Sequence, residues 1–168
     1  AASGSNDESE DFSAIGIEAR ENITLGDMGA TGSVTATTNG MDAYGLFAGE
    51  EGGYQTHSNI TIGNVGGSIR AEAMAGTAAG ARSTGSLSVG NISGFISASS
   101  TGAAEAYGLL AEFSLTTGTI NGTVRAATAG STAAALMGGA GITTTIGSTG
   151  VIEATATGDE ATGYALYS

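Results

Sequence analysis

One histidine, His57, is the chain's only side chain with an ordinary pKa near neutrality. It lies in the stretch Gly49-Glu50-Glu51-Gly52-Gly53-Tyr54-Gln55-Thr56-His57-Ser58. An imidazole, two carboxylates and a phenol within eight residues can contact a polar ligand, and Glu50, Glu51, Tyr54 and His57 are the candidate contacts. No Ser-His-Asp arrangement accompanies them. The other carboxylate pair, Asp159-Glu160, is adjacent in sequence, as Glu50-Glu51 is, so neither pair need converge. Polysaccharide lyases and hydrolases need a carboxylate cluster, often with a basic residue, beside a groove. Here Lys is absent and Arg20, Arg70, Arg82 and Arg125 are dispersed. The expectation is therefore no catalytic residue and no enzyme.

Metal and cofactor chemistry has little to stand on. Asp7, Glu8, Glu10 and Asp11 offer oxygens that suit Ca²⁺, yet neither the Asp-x-Asp-x-Asp-Gly loop nor the Gly-Gly-x-Gly-x-Asp nonapeptide is present. Without Cys there is no disulfide, thiolate nucleophile or Cys-type zinc site. The glycines form no phosphate loop with a lysine. No metal and no cofactor are expected, and the acidic start reads as a solvated lead-in. Asn-x-Ser/Thr occurs at Asn22, Asn59, Asn91 and Asn121, three of them at equivalent or near-equivalent turns, so these read as turn asparagines.

Whatever positions these residues is not a long helix. In 168 residues there are 30 Gly and 23 Thr, both poor helix formers. The net charge of −12 argues against binding to nucleic acid through its phosphates or to anionic membranes. No apolar run reaches the ~18 residues of a membrane-spanning helix. Disorder is opposed by regularly placed Ile, Leu and Val and by only 12% charged residues.

Internal repetition is the main signal. Gly-x-[Val/Ile]-x-Ala recurs with Val34, Ile69, Ile96, Val124 and Ile152 at its centre, at spacings of 35, 27, 28 and 28. Ala-x-Gly-[Leu/Ile] recurs from Ala14, Ala43 and Ala106, with looser copies from Ala78, Ala133 and Ala161. A third segment recurs as Ile23-Thr24-Leu25-Gly26, Ile60-Thr61-Ile62-Gly63, Leu87-Ser88-Val89-Gly90, Leu115-Thr116-Thr117-Gly118 and Thr144-Thr145-Ile146-Gly147. The segments alternate apolar and polar residues with the strand period of two and are bounded by turn formers. Strands this short cannot bury an apolar edge alone, but stacking each on its copy makes parallel ladders about 4.8 Å apart.

The fold expected is an all-β, single-stranded parallel β-helix: a β-solenoid of three short strands per coil of about 28 residues, five to six coils. It is taken as right-handed, the default of large three-sided examples. Residues 1–11 form an acidic lead-in or cap, and residues 12–168 form the helix, read as a segment of a longer array. Val34, Ile69, Ile96, Val124 and Ile152 should stack inward, and Ala36, Ala71, Ala98, Ala126 and Ala154 beside them. Thr35, Arg70, Ser97, Arg125 and Glu153 should point outward, with Arg125 and Glu153 paired across one rung. The absence of Pro fits, since interior rungs use both edges.

From the Ala of the second segment to the Gly closing the third takes 12 residues in coils one, three and four, 14 in coil five and 20 in coil two. The eight-residue excess falls on Gly49 to Ser58, where an insertion becomes a loop on one face. Adsorption to ice needs an array of outward Thr on successive rungs. Thr35 and Thr37 begin one, but Arg70 and Glu72 break it on the next.

The phrases "NITIGNVGGSIRAEA", "AYGLLA", "GTINGTVRAATAG" and "STGVIEATATGDEATGYAL" resemble passenger regions of bacterial autotransporters over roughly residues 12 to 167. The resemblance implies export through an outer-membrane barrel and display on the cell surface, outside the cell. It implies an adhesive, self-associating or stalk-like role rather than chemistry, with a carbohydrate-binding or carbohydrate-active β-helix as the alternative. The expected partners are adjacent passenger segments or other copies meeting the terminal rungs, and host surface or polysaccharide. Nucleic acid is not expected.

Overall fold

The computed structural model describes residues 2–3, 13–50 and 57–168. A short strand, β1 (Ala2–Ser3), precedes the first coil. Coil one comprises β2 (Ala14–Ala19), β3 (Ile23–Leu25) and β4 (Ser33–Thr38). Coil two comprises β5 (Ala43–Ala48), β6 (Ile60–Ile62) and β7 (Ser68–Ala73), and coil three β8 (Ala78–Ser83), β9 (Leu87–Val89) and β10 (Phe95–Ser100). Coil four comprises β11 (Ala106–Ala111), β12 (Ser114–Ile120) and β13 (Thr123–Thr128), and coil five β14 (Thr132–Gly138), β15 (Gly141–Ile146) and β16 (Val151–Ala156). The strand β17 (Thr162–Tyr167) begins a sixth turn.

Three parallel sheets result. Sheet A is β1-β4-β7-β10-β13-β16, sheet B β2-β5-β8-β11-β14-β17 and sheet C β3-β6-β9-β12-β15. Each strand pairs with its copy one coil away, so this is the expected three-sided parallel solenoid. No helix occurs among the described residues. The sequence stretch read as a lead-in contributes β1, which pairs with β4 through Ala2↔Ala36 and Ser3↔Thr37. Asp7, Glu8, Glu10 and Asp11 lie outside the described residues.

The inward columns form as the period-two pattern requires. Val34, Ile69, Ile96, Val124 and Ile152 are in register on successive rungs, and so are Ala36, Ala71, Ala98, Ala126 and Ala154. Ile69, Ile96 and Val124 are fully buried, and full burial of such a side chain stabilises by about 1.5–3 kcal/mol. The alanines cluster at the corner where sheet A turns into sheet B, against Ala43, Ala78, Ala106 and Ala133. Only small side chains let the two walls meet there.

The glycine of Ala-x-Gly-[Leu/Ile] has a packing cause. A Cβ on Gly80 would stand 2.8 Å from Ile96 Cγ2 and 2.5 Å from the Gly108 carbonyl oxygen. At Gly108 it would stand 2.8 Å from Val124 Cγ1, and at Gly45 2.8 Å from Ile69 Cγ2. The missing side chain on sheet B makes room for the branched one on sheet A.

Two registers at the last coil differ from the alignment of the repeated segments. Ala133 pairs with Gly163, not Ala161, because the turn at Gly158-Asp159-Glu160, with Glu160 at φ 55°, carries the strand two residues further. Leu115 pairs with Ile142, not Thr144. After a register shift between Thr116 and Thr119, Ile146 pairs with Ile120. It thereby extends the corner column Met28, Val65, Ile92, Ile120.

The turn asparagines bridge rungs, at two corners instead of one equivalent turn. At the corner from sheet B to sheet C, Asn59 N–H donates to Asn22 Oδ1 at 2.8 Å and Ser86 N–H to Asn59 Oδ1 at 2.8 Å. At the corner from sheet C to sheet A, Asn64 N–H donates to Asp27 Oδ1 at 2.7 Å, Asn91 N–H to Asn64 Oδ1 at 2.9 Å and Thr119 N–H to Asn91 Oδ1 at 2.8 Å.

Candidate functional site

The insertion leaves the solenoid at the end of β5. Gly49 N–H donates to Ala19 O at 3.0 Å, continuing the ladder by one residue. Gly49 then takes φ +142°, and a Cβ there would collide with the Thr84 side chain. Glu50 follows, its Oε1 3.8 Å from Arg20 Nε. Both side chains are well exposed, so the pair holds the loop only weakly. With Glu18 they line a shallow, open depression of about 400 Å³.

The chain re-enters at His57, whose ring meets Phe113 edge-on at 4.6 Å between centroids. Ser58 is buried and anchors the return. Its Oγ donates to Arg20 O at 2.8 Å and its N–H to Thr84 Oγ1 at 3.2 Å. Its carbonyl accepts from Ser83 Oγ at 2.5 Å and Gly85 N–H at 2.9 Å. The outgoing arm thus leans on coil one, while the returning arm is tied to coil one and coil three through Ser58 and reaches coil four through the His57 ring. Glu50 and His57 are drawn in opposite directions along the axis, so these partners do not assemble an imidazole–carboxylate pair. Glu51 and Tyr54 lie outside the described residues.

The outer face of sheet B carries a group that the repeat analysis did not single out. Tyr44, Phe47, Ala79, Tyr107, Leu110 and Ala134 form a second apolar layer, separate from the core. Tyr44 is 0% and Phe47 1% exposed although both point away from the axis. The Arg82 guanidinium lies 5.4 Å from the Tyr44 ring centroid and 5.6 Å from that of Phe47. It donates to Tyr44 Oη at 2.8 Å and approaches Glu112 Oε1 at 3.9 Å, while its buried Nε has no hydrogen-bond partner among the described residues. Tyr44 Oη donates to Asp42 Oδ2 at 2.9 Å and Tyr107 Oη to Glu105 Oε2 at 2.5 Å. Burial pushes the Tyr107 phenol well above its ordinary pKa of about 10, the Glu105 bond and charge add to this, and Arg82 opposes it. The Tyr107 phenol is held protonated as a donor, which is a structural task. The signal in the sequence was the unbroken apolar run of Ala-Tyr-Gly-Leu-Phe-Ala and Ala-Tyr-Gly-Leu-Leu-Ala, which marks a strand buried on both faces.

Sheet A carries ordinary rung-to-rung contacts outside. Arg125 Nε lies 3.5 Å from Glu153 Oε2, the pairing expected across one rung, and Arg70 lies over the Phe95 ring at 5.0 Å. All four arginines are thus engaged with a neighbouring rung or with the insertion arm. Among the described residues no three His, Asp or Glu side chains converge as a metal site would need. No protein-family model, no curated protein and no solved structure matches this chain.

Proposed function

We propose that this chain is a non-enzymatic structural or adhesive module, exported to the bacterial cell surface as part of an autotransporter-like passenger. It works as a rigid stalk and associates through its terminal rungs. The observation that carries this reading is the stack of three parallel sheets, each strand in register on its copy one coil away, which makes a rod. Ile152 and Ala154 continue the inward columns, yet Ile146, Val151, Leu166 and Tyr167 around them are 44–52% exposed. Strands β15, β16 and β17 carry the three ladders on, and an edge of this kind pairs with whatever rung adjoins it. An adjoining passenger segment or another copy would complete the ladder and cover those side chains.

Sedimentation across salt concentration tests this. The net charge of −12 opposes association between copies, so association should strengthen as salt screens it. Val151→Asp should weaken it, because a further negative charge beside the associating edge adds to the repulsion between copies. A chain that stays monomeric at high protein and high salt overturns self-association. The alternative, a carbohydrate-active β-helix, would show as cleavage of acidic or neutral polysaccharides, abolished by changing one carboxylate. Where a host or polysaccharide partner binds, the insertion with Glu50, Glu51, Tyr54 and His57 is the assigned contact, and removing 50–57 should abolish binding without removing a rung.

A further inference from the structure

The third face of the solenoid differs from the other two. Thr24, Thr61, Ser88, Thr116 and Thr143 occupy successive rungs of sheet C in strict register. All five are exposed, and none of their hydroxyls is hydrogen-bonded to protein among the described residues. The outward column of sheet A mixes Thr35, Arg70, Ser97, Arg125 and Glu153, and the outer face of sheet B is apolar and covered. In β3, β6, β9, β12 and β15 there is no charged and no aromatic residue. That is unusual ground in a chain of net charge −12.

The array is also held still. Every interior strand of sheet C is paired on both edges. The bordering residues at each corner are tied rung to rung, through Asn22, Asn59 and Ser86 on one side and Asp27, Asn64 and Asn91 on the other. The Ser86 and Ser114 hydroxyls continue the first border at 2.9 Å. The β-branch restricts χ1 at Thr24, Thr61, Thr116 and Thr143, which limits the orientations of their hydroxyls. Five rungs at about 4.8 Å make a row about 19 Å long.

From these features we propose that the outer face of sheet C adsorbs to ice, the occupant being the ordered water of a crystal face. A neutral row has no counter-charge for an ionic ligand. A flat face offers no enclosure for a small molecule. Without an aromatic platform on these strands a sugar ring has nothing to stack on. Water in ice is neutral and periodic, and each molecule both donates and accepts. Each hydroxyl likewise supplies one donor and two acceptors. Waters bridging successive rungs would satisfy these groups, and their immobilisation costs little where the crystal has already ordered them. On the four Thr rungs the methyl beside the hydroxyl adds an apolar point that disfavours disordered water above the row. The array sought in the Gly-x-[Val/Ile] strand, where Arg70 interrupts it, stands one face further round as an unbroken row of hydroxyls, four of them Thr and the middle one Ser88.

The test is inhibition of ice recrystallisation, with thermal hysteresis on single crystals, using the full chain. The wild type should slow recrystallisation. Thr61→Tyr combined with Thr116→Tyr should raise the concentration required by at least about tenfold, equivalent to losing one or two hydrogen bonds per contact. Thr35→Tyr on sheet A should leave activity unchanged. Far-ultraviolet circular dichroism of each variant should match the wild type, since all three positions are on the surface. A wild-type chain without effect on ice overturns the proposal, and so does an equal loss in the sheet A variant. Binding to insoluble cellulose or chitin that the sheet C variants abolish, with no effect on ice, would also overturn it.

Discussion

Tyr107 shows how an acidic chain uses a carboxylate against its own surface. The phenol donates to Glu105 at 2.5 Å from a buried position, and ionising it would bury a negative charge beside that of the exposed Glu105. Its pKa is therefore raised in the folded chain above the ordinary value of about 10. Folding favours the protonated form, so this contribution to stability is complete below about pH 10 and is lost as the pH rises beyond it. Tyr107→Phe keeps the ring and removes the proton. Near neutrality the variant should be less stable by about 1 kcal/mol, the net value of one hydrogen bond. Above about pH 10 its stability should decline less steeply than the wild type's. Urea unfolding from neutral to about pH 11 would show both effects. Equal slopes in the two proteins would mean that this phenol does not drive the alkaline loss.

At the scale of the strand, the contact between sheets A and B sets the sequence of the repeat. Gly80 has no space for a side chain, since a Cβ would meet Ile96 Cγ2 at 2.8 Å. Gly80→Val should destabilise by about 1–3 kcal/mol through overpacking. Combined with Ile96→Ala, the two should cost less than the sum of the separate effects, because each relieves the other's misfit. Urea midpoints of the two single variants and the double variant would measure the coupling. Exact additivity would show that the two walls do not press on one another there.

The same strands explain what sequence reading could and could not reach. Val34, Ile69, Ile96, Val124 and Ile152 were legible because a period of two and a constant offset place them in one column. The outer layer of sheet B was not. Tyr44 and Phe47, three residues apart, share the outside while Leu46 and Ala48 enter the core, so alternation fails around Gly45. The last coil was misread because turn length, not strand chemistry, sets where Gly163 and Ile142 fall. For the insertion, the eight-residue excess located the loop. The direction of its arms depends on Arg20, Thr84 and Phe113, which are remote in sequence.

Across the whole molecule, each coil touches its two neighbours and little else, so stability is close to a sum of rung and interface terms. Coils two to four have neighbours on both sides, and there Ile69, Ile96 and Val124 are 0% exposed. In β16 and β17 every position is partly or fully exposed. Amide exchange should therefore be slowest in β7, β10 and β13 and fastest in β16 and β17. Mild denaturant should collapse that gradient only near global unfolding. Uniform protection from β4 to β17 would mean that the solenoid opens as one unit instead of fraying rung by rung.

On sheet B the outward column reads Ile15, Tyr44, Ala79, Tyr107, Ala134, Tyr164. From Tyr44 onward large and small alternate, and each interior alanine lies between two tyrosines. On this face odd and even coils are therefore not interchangeable. Duplicating one coil would set two phenol rings on adjacent rungs or leave two alanines with no ring between them. Duplicating a pair preserves the alternation. The unit by which such an array grows or shrinks, in a gene or on a designer's bench, is then two coils, and arrays built from this sequence should lengthen in steps of two.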